Sequence, residues 1–397
     1  MEKLKLRSRE RINRVSTRYR RDELYGIDWD QRLLGITGSR GVGKTTLVLQ
    51  HIRERHGLGN EALYLSLDDL YFTEHRLLDL AEDFRREGGL FVYLDEVHKY
   101  PGWANEVKTL YDLYPDLNIV FTGSSMLELY KANADLSRRA VMYQLHGLTF
   151  RQYLGIKDLL HHDPVPLADV LHRGNELIMN LPEDFRPYPH FRNYLKMGYL
   201  PFFLESESWY SDLLQASTRA LVESDMALIY NIDVRNLRSI YQLLYAVATS
   251  PPFKPNIVKI SERLEISRNT VVQYLHYLEK ADLLVLLGSS KSGLSSMQKP
   301  DKIYFSNPNL YYALHPGEPN TGAVRESFVL SQLRRGHEVR YPETGDFLID
   351  DQYLIEVGGK NKSEHQIRDA PHGYIAADDL DYALGRKVPI WLFGWID

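Results

Sequence analysis

Nine consecutive residues constrain this chain more than any others: Gly38-Ser39-Arg40-Gly41-Val42-Gly43-Lys44-Thr45-Thr46. They follow the apolar run Leu33-Leu34-Gly35-Ile36-Thr37 and precede a helix-like stretch ending near Arg55. This is the spacing G-x-x-x-x-G-K-[ST], set between a strand and a helix as its mechanism requires. Gly38, Gly41 and Gly43 let the backbone take positive φ, so that successive N–H groups can turn inward on one anion. The N-terminus of the following helix adds the positive end of its dipole. Lys44 then supplies a point charge for outer phosphates, and the Thr45 hydroxyl is suited to ligate Mg²⁺. Ser39, Arg40, Val42 and Thr46 complete the stretch expected to wrap a polyphosphate. The competing reading is a glycine-rich turn that binds nothing, and both the residues and their setting argue against it.

At 397 residues the chain has room for two or three domains and an ample core. It contains no cysteine, which excludes disulfides, thiolate zinc sites and a cysteine nucleophile. Its N-terminus lacks the apolar core of a signal peptide, and no run reaches the roughly 18 apolar residues that span a bilayer. A cytoplasmic protein without a membrane partner is expected. The net charge of −5 is unevenly spread: residues 1–21 carry nine Lys or Arg against two Glu. Such an arm either touches nucleic acid or an acidic partner, or forms a solvated amphipathic helix.

From about residue 30 to 150, apolar strands are expected at Leu33–Thr37, Ala62–Leu67, Leu90–Leu94, Asn118–Thr122 and Val141–His146, with helix-like segments between them. Strands separated by helices imply an α/β fold with a mostly parallel sheet covered on both faces. The third strand ends in Asp95-Glu96, like a Walker B element. A carboxylate at the C-terminal end of a parallel strand faces the crevice where ligands bind. Asp95 is the expected Mg²⁺ holder, and Glu96 the residue that polarises the attacking water. Thr122 and Ser124, at the end of the next strand, are candidates for sensing the γ-phosphate, or for capping a helix. Arg138 and Arg139 precede the fifth strand. Either, Arg139 first, could serve as an arginine finger in cis or in a neighbouring subunit of a homo-oligomer, or simply form a surface ion pair.

The phosphate loop, LDEVHKYPGW (Leu94 to Trp103), FTGSS (Phe121 to Ser125) and LSRRAVMYQLHGLTFRQYL (Leu136 to Leu154) resemble a family of prokaryotic AAA+-type P-loop ATPases related to archaeal-type and signalling NTPases. Members carry a winged-helix region and a nuclease-like C-terminal region. The resemblance implies strand order 5-1-4-3-2, Glu96 as the hydrolytic residue, ATP and Mg²⁺ as cofactors, and a helical lid following the core. It divides the chain into a core at 1–155, a lid at 156–225, a winged helix at 226–290 and a restriction-endonuclease-like α/β domain at 300–397.

The later segments can also be read from their residues. Aromatic side chains between 155 and 225, Phe185, Tyr188, Phe191, Tyr194, Tyr199, Phe202 and Phe203, are read as core. Val258–Leu264 and Arg268–Leu275 form two helices around a turn, with Ser267 as N-cap and Leu283–Leu287 as a wing strand. Arg268, Asn269, Thr270 and Gln273 would meet DNA if the second helix were a reader; a scaffold or protein contact is the alternative. Asp346–Asp350 and Tyr353–Val357 suggest a hairpin. Asp346 and Glu356 match two carboxylates of a PD-(D/E)xK nuclease, a second potential metal site. Gly358 stands where that pattern has lysine, with Lys360 as substitute and Gln366 and Glu326 in supporting positions. The sequence thus points to Mg²⁺-dependent ATP hydrolysis driving a domain switch. A nuclease gated by ATP and a slow nucleotide-dependent binding switch are the alternatives. No guanine-reading N-K-x-D stretch follows the core.

Overall fold

In the computed structural model, the expected alternation closes into a single sheet. The structure describes residues 1–123, 136, 138–230, 232–250, 254–289 and 300–396. The chain divides into two units, Met1–Gly147 and Leu148–Asp397.

Five parallel strands build the first unit: β1 (Leu33–Thr37), β2 (Ala62–Ser66), β3 (Phe91–Asp95), β4 (Asn118–Gly123) and β5 (Val141–Gln144). Their order is β2-β3-β4-β1-β5, as the resemblance implied. The central strands are buried on both faces, with Leu34, Ile36, Val92 and Phe121 sealed from solvent, as expected of a covered parallel sheet. Helices α2 (Lys44–Arg55), α3 (Leu77–Arg86) and α4 (Trp103–Leu113) provide cover. In α3 the buried residues Leu77, Leu80, Ala81 and Phe84 recur at helical spacing, which gives one apolar stripe for the sheet.

The basic N-terminal arm is a helix, α1 (Glu2–Arg14), whose buried face is Leu4, Ser8 and Ile12. Its cations turn onto the core: Lys5 pairs with Glu87, Arg7 donates to Asp69 Oδ2 at 2.6 Å, Arg9 bonds Asn60, and Arg11 donates to the Tyr64 hydroxyl. The charge of the arm is therefore largely engaged within the unit.

The second unit opens with short helices whose aromatic residues form a core. Phe191, Tyr194, Tyr199 and Phe203 are buried, and Phe191 and Tyr194 meet Phe150 and Phe328 edge-on or tilted. Helices α5 (Ile257–Leu264) and α6 (Arg268–Lys280) flank a turn in which Glu265 takes φ 55°. The Ser267 hydroxyl accepts the Thr270 N–H and so caps α6 as expected. Strands β6 (Leu284–Leu287) and β7 (Lys302–Phe305) then pair antiparallel.

A second sheet of order β12-β11-β10-β9-β8 follows. It contains β8 (Val339–Arg340), β9 (Phe347–Ile349), β10 (Tyr353–Gly359), β11 (Gly373–Asp378) and β12 (Lys387–Pro389). The β9–β10 hairpin forms where the sequence indicated, with Asp350 and Asp351 both at positive φ in its turn. β10, β11 and β12 run parallel. Helix α7 (Thr321–Leu333) packs on β10 and is buried along most of its length. No helix among the described residues is long and apolar enough to cross a membrane.

Candidate nucleotide site and an acidic centre

At the C-terminal end of β1 the chain passes through the Gly38–Gly43 loop into α2. Gly38 has φ 151°, and a Cβ there would lie 2.3 Å from the Leu145 carbonyl oxygen. Gly43, at φ 102°, ends the loop in a left-handed conformation that a side chain would strain. Glycine is therefore required at both positions. Val42 is buried and anchors the loop to the core, while Arg40 and Thr46 are exposed at its crest and on the first helical turn.

Lys44 is 4% exposed, and its ammonium donates to the carbonyls of Gly38 (2.8 Å) and Ser39 (3.0 Å). It thus lies curled within the loop that would cradle a polyphosphate. The Thr45 hydroxyl donates to Asp95 Oδ2 at 2.7 Å. Asp95 is 3% exposed, and Thr122 bonds its other oxygen, Oδ1. Thr122 is buried, so its hydroxyl is used to hold this carboxylate. Ser124 lies outside the described residues.

Glu96 takes φ 54°, an uncommon conformation for a non-glycine residue and one often met at functional positions. Its backbone N–H donates to Thr122 Oγ1 at 3.4 Å, and its carboxylate lies 3.4 Å from His98 Nε2. Arg138 is exposed. Arg139 forms a two-pronged pair with Asp112 of α4 at 2.9 and 3.1 Å, so in this unit it is engaged on the surface.

Two further residues belong to this neighbourhood that no motif marks. Arg21, 7% exposed, donates to the carbonyls of Val42 (3.0 Å) and His146 (2.8 Å) and pairs with Glu23. It ties the phosphate loop to the segment after β5. Tyr64 donates to Asp95 Oδ2 at 2.6 Å and accepts from Arg11 at 3.1 Å. Burial, and then the neighbouring Asp95, push the Tyr64 phenol well above its ordinary range, so it remains a neutral donor. The one legible hint was strand alternation: Tyr64 shares a face of β2 with Ser66, which registers beside Asp95.

In the second unit, Asp346, Glu356 and Glu326 come together as the sequence suggested. Lysines accompany them. The Lys302 ammonium lies 2.7 Å from Glu326 Oε2 and 3.0 Å from Asp346 Oδ1. The Tyr304 hydroxyl donates to Glu326 at 2.5 Å, and the Val357 N–H to Asp346 at 2.9 Å. Lys362, and not Lys360, reaches Glu356. Lys360 and Gln366 are exposed. The Lys362 side chain fills the space beside Gly358, where a Cβ would meet three of its carbons at 2.9 Å. Burial and then Asp346 raise both Glu326 and Glu356 above the usual carboxylate range, the lysines opposing. For Lys302, burial lowers the affinity for its proton, but Glu326 and Asp346 outweigh that and raise it. Among the described residues, no group of three or more His, Cys, Asp or Glu side chains is arranged to hold a metal ion.

Comparison with known proteins agrees with the first unit's geometry. Residues 30–154 match the family model of the AAA domain, and residues 188–321 match a domain of unknown function, DUF8612. An uncharacterized protein of Methanocaldococcus jannaschii is 28% identical over 394 residues, spanning 88% of this chain and 81% of its own length. Among solved structures, a Walker-type ATPase of Pyrococcus abyssi is 15% identical at a TM-score of 0.41, covering 78% of this chain and 94% of its own. AMPPCP-bound DnaA from Aquifex aeolicus is 13% identical at a TM-score of 0.29, covering 64% and 82%. The likeness to both structures is distant. The strand order, the phosphate loop, the Asp95-Glu96 pair and the domain match together define the first unit as a P-loop core of the AAA type.

Proposed function

We propose that this chain binds ATP with Mg²⁺ in its first unit and hydrolyses it to ADP and phosphate, using the cycle to switch its domains. The observation that carries this is the meeting of Lys44, Thr45 and Asp95 at the ends of β1 and β3, with Glu96 next in the chain. The residues fit a nucleotide. Gly38 and Gly43 leave the loop without a side chain at two positive-φ positions, and the buried Lys44 ammonium, which donates to loop carbonyls, can re-aim at phosphate oxygens. Thr45 and Asp95 offer oxygen donors to a hard cation.

In this reading the loop amides and Lys44 hold the phosphates, while Thr45 and Asp95 place the metal. Bound Mg²⁺ would neutralise charge on the phosphate oxygens. Glu96 orients a water in line with the γ-phosphate and takes up its proton. Thr122 fixes Asp95, and it and Ser124, which follows β4 in the chain, are the candidates for sensing the γ-phosphate. Arg138 or Arg139 would stabilise developing charge from a neighbouring subunit. Phosphate release from wild type and Glu96→Gln tests the assignment. Wild type should turn over about 100-fold faster or more, and Glu96→Gln should still bind ATP. A wild type as slow as the variant supports the slow binding switch instead.

The helix pair α5–α6 with the β6–β7 ribbon supports a winged helix, and the exposed Arg268, Asn269 and Gln273 leave DNA contact open to test. The sheet around β10 with Glu326 on α7 supports a nuclease-like domain. Gly358 in place of lysine, and two lysines already on the carboxylates, favour a degenerate, non-cutting version. Supercoiled DNA incubated with Mg²⁺ and the protein should stay intact. Cleavage that disappears in Glu356→Ala would establish the nuclease reading.

A further inference from the structure

We infer that Tyr64 is a positioning residue for the metal-holding carboxylate, and that Arg11 brings the N-terminal helix into the nucleotide site through it. The inference rests on the reading of Asp95 as the residue that places Mg²⁺.

Asp95 is held by three hydroxyls. Thr45 and Tyr64 both donate to Oδ2, at 2.7 and 2.6 Å, and Thr122 bonds Oδ1. The two threonines belong to segments that the phosphate-loop core itself supplies. Tyr64 comes from β2, the edge strand of the sheet, and its placement is fixed by α1. The Tyr64 N–H donates to the buried Ser8 hydroxyl at 3.0 Å, which closes the exposed edge of β2 at this residue. The Arg11 guanidinium donates to the Tyr64 hydroxyl at 3.1 Å and sits 5.6 Å from the ring centroid. The hydroxyl thus accepts from a cation while donating to an anion, an arrangement in which each hydrogen bond strengthens the other. Tyr64 is 3% exposed, so water competes little for either bond.

Mg²⁺ demands near-ideal octahedral geometry with short bonds. A carboxylate free to rotate would present its lone pairs in many directions, and pinning both oxygens removes that freedom. Partners of metal ligands typically change metal affinity 10–100-fold when removed. α1 is attached to the core through Lys5, Arg7, Arg9 and Arg11. Displacing it withdraws Arg11 from Tyr64, so whatever engages this helix is coupled to the metal end of the site.

The test is Mn²⁺ binding, read from the electron paramagnetic resonance of free Mn²⁺ with saturating ADP, in the full chain. Tyr64→Phe should weaken Mn²⁺ about tenfold, while ADP affinity without metal stays within about twofold. Arg11→Met should weaken Mn²⁺ by a smaller factor, and Arg11→Lys should recover most of it. If Tyr64→Phe lowers the melting temperature, Arg11→Met, on an exposed side chain, carries the decision. Unchanged Mn²⁺ affinity in both variants overturns the inference and leaves the ATPase reading intact. A parallel fall in metal-free ADP affinity also overturns it, because Tyr64 would then only support the fold. Absence of ADP binding in wild type removes the ATPase reading and this inference with it.

Discussion

The two carboxylate centres of this chain are built from opposite partners. In the first unit Asp95 is held by neutral hydroxyls, from Thr45, Tyr64 and Thr122. These donors orient the carboxylate and leave its charge for a cation to meet. In the second unit Glu326, Asp346 and Glu356 are met by the ammonium groups of Lys302 and Lys362. There the positive charge comes from the chain itself, and a divalent cation would have to displace a lysine that is 5% exposed. A cluster of carboxylates is thus not by itself a metal site; the charge of what already touches it decides.

The largest effect expected from breaking this contrast is at Lys302. Lys302→Met leaves Glu326 and Asp346 buried without their cation and should destabilise the second unit by about 3–5 kcal/mol. Adding Glu326→Gln should recover part of that. Asp95→Asn replaces one group among neutral donors; it should abolish Mg²⁺-dependent hydrolysis while costing about 1–3 kcal/mol of stability. Thermal melts of the three variants check the ordering. A larger loss from Asp95→Asn than from Lys302→Met would reverse the contrast.

Acid should sharpen it. His51 stacks on Trp29 at 3.8 Å, and burial, followed by Arg55 and His56, lowers its pKa to about 3. The folded first unit therefore resists protonating a group that titrates near 6.5 when unfolded. The stability His51 contributes is present above 6.5 and lost as pH falls toward 3, about 3 kcal/mol between pH 7 and 4. Glu326 and Glu356 have the opposite sign. Their raised pKa values favour the fold below the ordinary carboxylate range, and that contribution is lost as pH rises through the raised values. Denaturant unfolding at pH 7 and pH 4 should show His51→Phe flattening the acid loss. An unchanged slope would remove His51 as its source.

Smaller effects fall at the phosphate loop and the surface. Arg21→Met removes donors to the Val42 and His146 carbonyls and should cost about 1–3 kcal/mol. It should also weaken ATP binding, as isothermal titration would show. Arg139→Ala should leave the melting temperature unchanged, because its pair with Asp112 is exposed. If the finger acts in trans, the variant lowers turnover only at protein concentrations where subunits associate.

What the sequence disclosed follows from how local each signal is. The loop Gly38–Thr46 and the strand-end pair Asp95-Glu96 are contiguous motifs whose chemistry is inseparable from their spacing. The hairpin around Asp350 and the Ser267 cap are local as well. Tyr64 and Arg21 could not be read in this way, since their partners lie 31 and 21 residues away and depend on strand order. Lys302 is the first residue of β7. Its neighbours Glu326 and Asp346 are 24 and 44 residues distant, on a helix and beside another strand. The substitute for the missing lysine was misplaced by two residues. The chain turns after Gly359, with the Lys362 N–H donating to the Gly359 carbonyl, and that turn brings Lys362 over Gly358. Lys360 is left pointing to solvent. The basic arm was ambiguous because charge pattern alone does not show what a cation faces.

Calorimetric titration of Mg²⁺·ATP into wild type and Lys44→Ala tests the phosphate cradle most directly. Saturable heat in wild type that disappears in the variant is the expected result. Absence of heat in wild type, or two superimposable isotherms, would contradict it.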